Sequence, residues 1–201
     1  MITFYSVIRA IGIFIFKLIY PWEINGSDKL PEKGRYIICS NHISNMDPIF
    51  LIISQRRKIY FMAKSELFKN KIFSKFLSKM GAFPVQRKKG DTKAINRSFE
   101  ILESNDVLGI FIEGTRSKNG EFLRPKSGVS VIAYKTNSPV IPVCITPKRG
   151  KNVRPFRKTI ITYGDPISIS NLSIKEGSGL EIRNASRFIM GKIKELREEN
   201  S

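Results

Sequence analysis

Cysteine, histidine and tryptophan are scarce in this 201-residue chain, at two, one and one, and Asp plus Glu number 17 against 35 Lys plus Arg. Cys39 and Cys144 each lie in an apolar run and lack the spacing of a zinc site or a redox pair, so they read as buried thiols. That excludes a disulfide framework and points to a reducing compartment. Internal repeats and low-complexity tracts are also missing, which excludes a solenoid and wholesale disorder. So is a long unbroken apolar run: Arg9 and Lys17 interrupt the most hydrophobic stretch, residues 1–22, and leave 10–16 as its longest charge-free middle run. Such a run is too short to cross a bilayer comfortably. The shortage of acids gives a formal charge of +18 and a pI near 10.1. A balance of that sign demands an anionic partner: nucleic acid, an anionic membrane surface, or acidic substrates and carrier proteins.

What is present suffices for one compact domain, with 41% hydrophobic and 26% charged residues, close to ordinary globular usage. On a helix turning about 100° per residue, Arg9 and Lys17 lie roughly 80° apart, so both can face water while Ile, Phe and Leu side chains enter lipid. Tyr20 and Trp22 then suit the interface. Residues 1–22 are therefore expected to form a membrane-associating helix lying in the surface, with a true span or a core helix as alternatives. A cleavable signal peptide fits poorly, because the cations lie inside the apolar region.

Residues 23–201 are expected to form the single folded domain. Strands are predicted at 35–39, 58–62, 107–112, 140–145 and 158–163, and helices at 49–54, 66–80, 92–104, 128–136 and 180–199. This alternation argues for an α/β fold with a mixed, largely parallel central sheet flanked by helices. The segment 66–80 carries Ile72, Phe73, Phe76, Leu77 and Met80 on one stripe with Lys71, Lys75 and Lys79 to one side. We read it as core-facing with snorkelling lysines; contact with anionic lipid or an acyl-chain channel are the alternatives. The final helix mixes Lys192, Lys194 and Arg197 with Glu195, Glu198 and Glu199, a solvated face to which we assign no chemistry.

The single histidine sits in Asn41-His42-Ile43-Ser44-Asn45-Met46-Asp47, directly after a predicted strand, where α/β sheets build sites. On a continuous helix, residues five apart diverge by about 140°, so His42 and Asp47 can meet only across a turn. Pro48 supplies one: it biases Asp47 away from helical geometry and suits the first helical position, leaving Asp47 as the N-cap. Asp47 could then orient the imidazole while its other nitrogen removes a proton from a hydroxyl. The spacing alone leaves open that Asp47 merely caps a helix and His42 is a surface residue. Cys39 as a nucleophile beside His42 is disfavoured, because it lies inside the strand. Arg116, in Glu113-Gly114-Thr115-Arg116, projects from another strand end beside the hydroxyl of Thr115, and Arg87 lies at the edge of an apolar segment. Two guanidinium forks could grip a phosphomonoester, with Lys64 adding a point charge. Lys88 and Lys89 read as a solvated turn.

In order along the chain, NHISNMD, GAFPVQR, FIEGTRS and VIPVCI resemble the four sequence blocks of the glycerolipid acyltransferases, most closely the bacterial 1-acyl-sn-glycerol-3-phosphate acyltransferases. The similarity covers most of residues 35–163. It implies that His42 and Asp47 are the catalytic pair. It further implies that Arg87, Glu113, Gly114, Thr115 and Arg116, with Lys64, bind the glycerol phosphate of the acyl acceptor. Pro142 matches the fourth block, linked to acyl-donor binding or to packing. Ile112 stands where many relatives carry proline, which leaves the turn before Glu113 less constrained, and the short leader is a second departure from relatives with paired membrane helices. The implied reaction is direct transfer from an acyl thioester, acyl-CoA or acyl carrier protein, to lysophosphatidic acid. It needs no cofactor, ATP or metal and no nucleic acid, and runs at anionic lipid on the cytoplasmic face of a membrane. Glycerol-3-phosphate or a lyso-aminolipid are alternative acceptors. A non-enzymatic basic binding protein would explain the charge and not the four blocks.

Overall fold

The computed structural model describes residues 4–86 and 91–200. Seven strands form one sheet: β1 (Trp22–Asn25), β2 (Tyr36–Ser40), β3 (Ile59–Lys64), β4 (Ala82–Val85), β5 (Val107–Phe111), β6 (Val140–Pro147) and β7 (Thr159–Tyr163). Their spatial order is β1-β7-β6-β2-β5-β3-β4. Strands β2 to β6 run parallel, and β7 turns back antiparallel to β6 with β1 parallel to it. The five predicted strands are present within a residue or two of their expected ends. β1 and β4 were not predicted. Each is a four-residue edge strand, and β4 contains Pro84, a residue that sheets tolerate at an edge because its missing N–H can face outward.

Alternation along β2 sorts the core. Ile37 and Cys39 face the layer containing α4 (Thr92–Glu103), α5 (Gly128–Thr136) and α6 (Gly179–Glu198). Tyr36 and Ile38 face α1 (Phe4–Ile19) and α2 (Asp47–Ile53). The last helix is solvated on one side as expected, while Ile182, Ala185, Ile189 and Ile193 fill the core from the other, and Ser178 with Glu181 closes its capping box.

Three sequence expectations are corrected. The predicted helix at 66–80 is broken: Ser65–Phe68 is a 3-10 turn and α3 covers Lys71–Lys79, because Asn70 accepts the backbone N–H groups of Ile72 and Phe73 as an N-cap. No residue of α3 is buried; Ile72 is 85% exposed, so the core-facing reading fails. Arg9 does not face water either. Its guanidinium donates to the carbonyls of Ile52, Ile53 and Gln55 and satisfies the C-terminal end of α2. Lys17 stays exposed, as do Val7, Ile11, Phe14, Ile15 and Leu18 on α1. At 16 residues α1 is about 24 Å long. Among the described residues no helix is long and apolar enough to cross a membrane.

Candidate active site

Register places the site. β2 pairs with β5 from Tyr36↔Val107 to Ser40↔Phe111, and β3 with β5 to Phe61↔Gly109, so the residues after these strands emerge along one edge of the sheet. Asn41 prolongs the β2–β6 pairing with its side chain. Its amide donates to the Ile145 carbonyl (3.0 Å) and accepts the Ile145 N–H (2.8 Å), imitating one more ladder rung. This fixes the backbone one residue before His42, a role that the sequence motif did not reveal.

His42 is 7% exposed and held on every side. Its N–H donates to Glu113 Oε1 (3.1 Å), and its carbonyl accepts the N–H of Ser117 (2.8 Å). The imidazole stacks on Phe111 with centroids 4.1 Å apart and planes at 16°, and Phe111 stacks in turn on Phe61. Gly109 makes room for that stack, since a Cβ there would lie 2.1 Å from the Phe61 ring. Phe111 heads the FIEGTRS block without having been given a role, and Gly109 carried no signal in the sequence beyond a place in an apolar strand.

His42 Nδ1 lies 2.8 Å from Asp47 Oδ2. The same oxygen accepts the N–H groups of Ile43 and Ser44, both at 2.7 Å, so three donors converge on one atom of a fully buried carboxylate. The turn is therefore built differently from expectation. Met46 is the N-cap, Asp47 the first helical residue and Pro48 the second; the carboxylate reaches back to the loop rather than forward to the helix. The outcome is the same for the imidazole: Nδ1 is occupied by the carboxylate, and Nε2 is left for whatever enters the cavity that His42 lines.

Glu113 is 1% exposed, and its two oxygens accept the N–H groups of His42 and Leu123 (3.0 Å). Burial raises its carboxyl above the usual glutamate value against the opposing pull of those two bonds. It lies behind the cavity rather than in its wall. Gly114 follows in the left-handed region (φ +67°), where glycine is favoured, and turns Thr115 and Arg116 toward the cavity. Ile112 donates its N–H to the Ser40 carbonyl at 3.0 Å. A proline at that position could not, so here a hydrogen bond supplies the constraint that the side chain lacks.

The cavity measures about 790 Å³. Among the described residues its wall combines His42 and Phe111 with Met62, Leu67 and Thr115, and with the three cations Lys64, Arg116 and Lys118, and includes no carboxylate. Lys118 was not singled out in the sequence, because a lysine one residue past Ser117 looks like any solvated loop residue. Arg87, Lys88 and Lys89 lie outside the described residues. Cys39 and Cys144 are buried, and burial pushes both thiols up, away from nucleophilic use. Among the described residues no three His, Cys, Asp or Glu side chains could hold a metal ion. A second cavity, about 540 Å³, mixes Arg9, Arg56 and Arg57 with Asp28 and Glu32 and contains no histidine, and its Arg9 and Arg57 donate to backbone carbonyls.

Comparison with known proteins bears on what such a cavity does. The acyltransferase family model matches residues 22–146. A Streptococcus pneumoniae protein named 1-acyl-sn-glycerol-3-phosphate acyltransferase is 30% identical over 188 residues, 89% of this chain and 68% of that protein. A Bacillus subtilis protein of the same name is 31% identical over 147 residues, covering 72% and 73%. The crystal structure of the 1-acyl-sn-glycerophosphate (LPA) acyltransferase PlsC from Thermotoga maritima superimposes with a TM-score of 0.76 at 25% identity, covering 97% of this chain and 79% of that one.

Proposed function

This chain belongs to the acyltransferase family, and on that premise we propose that it moves a fatty acyl group from an acyl thioester to the free sn-2 hydroxyl of 1-acyl-sn-glycerol-3-phosphate, giving phosphatidic acid. One observation carries the reading: an imidazole tethered through Nδ1 to a buried carboxylate, in a cavity whose charged wall residues are all cationic.

That geometry supports the following steps. His42 Nε2 removes the proton of the acceptor hydroxyl while its oxygen attacks the thioester carbonyl carbon. The imidazolium so formed is stabilised by Asp47. When the tetrahedral intermediate collapses, the C–S bond breaks and the thiolate takes the proton back from Nε2. No acyl-enzyme is needed. General-base catalysis contributes about 10²- to 10⁴-fold, so positioning supplies much of the rest. Arg116 offers a bidentate fork to the phosphate, Lys64 and Lys118 add point charges, and Thr115 adds a hydroxyl. Arg87 joins this set by resemblance alone. Glu113 acts through His42: it fixes the backbone that carries the base and is a positioning residue.

The acceptor is an amphiphile, and the protein offers a surface for meeting it. The exposed apolar side chains of α1 and α3, joined where Lys79 Nζ lies 4.6 Å over the Phe4 ring, suit insertion into the boundary of an anionic membrane. The thioester donor is acyl-CoA or acyl carrier protein. Purified protein incubated with lysophosphatidic acid and each donor is expected to yield phosphatidic acid by mass spectrometry. Efficient acylation of a phosphate-free lyso-aminolipid, or preference for glycerol-3-phosphate, would overturn the acceptor assignment.

A further inference from the structure

The connection between β6 and β7, residues 148–158, belongs to none of the four blocks, yet six of its eleven residues are Lys or Arg. Three residues before β7, Phe156 is 78% exposed and adopts φ +60°, a left-handed conformation unfavourable to a bulky side chain. Such a conformation persists only when the surroundings impose it. Here the Phe156 N–H donates to the Ile19 carbonyl at the end of α1 (2.6 Å), Thr159 N–H donates to the Pro21 carbonyl, and the half-buried Val153 packs against the core. The loop is thus braced so as to hold a phenyl ring out in solvent.

What surrounds the ring defines its partner. Arg149, Arg154 and Arg157 are exposed and form no ion pair among the described residues. The bond to Ile19 makes Phe156 continuous with the exposed Ile15, Leu18 and Ile19 of α1. Four residues earlier in the same connection, Asn152 lines the catalytic cavity and donates to the Lys118 carbonyl (3.2 Å). In the sheet order, this loop leaves β6 on one side of β2 and β5, while Leu67, another wall residue, follows β3 on the other.

We propose that the loop 148–158 is an aromatic-basic anchor that inserts Phe156 into an anionic bilayer, its arginines meeting lipid phosphates, and so seats the cavity mouth at the lipid surface. The proposal rests on the membrane reading of α1 and α3 and extends that surface past the C-terminal end of α1, the end away from the Phe4–Lys79 contact with α3. The chemistry fits a bilayer better than nucleic acid, because the arginines flank a lone phenyl ring that continues an aliphatic face rather than a row of stacking aromatics.

The test uses the single tryptophan. In a Trp22→Phe background, Phe156→Trp places an indole at the proposed insertion point, and the full-length protein is mixed with phosphatidylglycerol vesicles carrying bromine on the acyl chains. The expected result is a blue shift with quenching. Vesicle binding by flotation without quenching would overturn the anchor and leave the α1 reading standing, and absence of binding would overturn both. Phe156→Gly is the companion variant. Glycine accepts φ +60° freely, so thermal stability should hold or rise while vesicle affinity falls roughly 10- to 100-fold, the loss of one buried phenyl ring. Unchanged affinity would contradict the proposal.

Discussion

Replacing Glu113 separates a residue that touches substrate from one that holds the base in place. Its carboxylate accepts two buried backbone N–H groups, so Glu113→Ala orphans both, at about 1–3 kcal/mol each. Glu113→Gln keeps one acceptor and turns an amide N–H against the other donor, costing about 1–3 kcal/mol, or a Tm lower by about 2–12 °C for a chain of this size. Freed from its brace, the His42 backbone can drift, and a displacement near 1 Å costs about 10²-fold in kcat. The acceptor KM should change little. Scanning calorimetry with initial rates over a range of lysophosphatidic acid concentrations reads all three quantities. A raised acceptor KM with Tm and kcat intact would refute the reasoning and return Glu113 to the substrate. The pH dependence gives a further check. Since burial raises the carboxyl of Glu113 in the folded state, its contribution to stability is complete below the unfolded value of 4.5 and declines as pH rises through the raised folded value. The stability gap between wild type and Glu113→Gln should therefore narrow across that window with increasing pH, and a widening gap would contradict the assignment.

Arg116→Ala removes an exposed guanidinium from the cavity wall and should raise the acceptor KM by roughly 10- to 100-fold, the worth of one charge-assisted contact, with Tm unaltered; an unchanged KM would speak against phosphate binding there. Arg9→Ala leaves the three carbonyls at the end of α2 without their shared donor, so Tm should drop by about 2–12 °C and proteolysis should reach α1 sooner; equal stability and equal cleavage would show that water replaces the arginine without cost.

Much of this architecture can be read from residue pattern, and the exceptions share a physical cause. Strands β2, β3, β5, β6 and β7 are runs rich in β-branched or aromatic residues, a local signal. β1 and β4 are four residues long and exist by pairing with β7 and β3, which nothing within four residues can announce. The turn at Pro48 allowed His42 to meet Asp47 without requiring it, and the family resemblance pointed to the pair; the carboxylate binds Ile43 and Ser44 rather than the helix. Glu113 and Phe111 act on His42 from the end of β5, Asn41 is fixed beside it by Ile145 of β6, and Lys118 joins the cavity through a loop. Such roles depend on register between segments distant in sequence. The exposure of α3 and the engagement of Arg9 were misread for the opposite reason: periodicity reports an apolar stripe or a cation, and only packing decides which neighbour each one meets.

The central claim is that one imidazole performs the proton transfer. The direct measurement is acylation of lysophosphatidic acid by purified wild type and His42→Ala at matched vesicle binding and Tm, with phosphatidic acid counted by mass spectrometry. Loss of the base should lower kcat by at least about 10²-fold. Turnover within a few-fold of wild type would contradict the account.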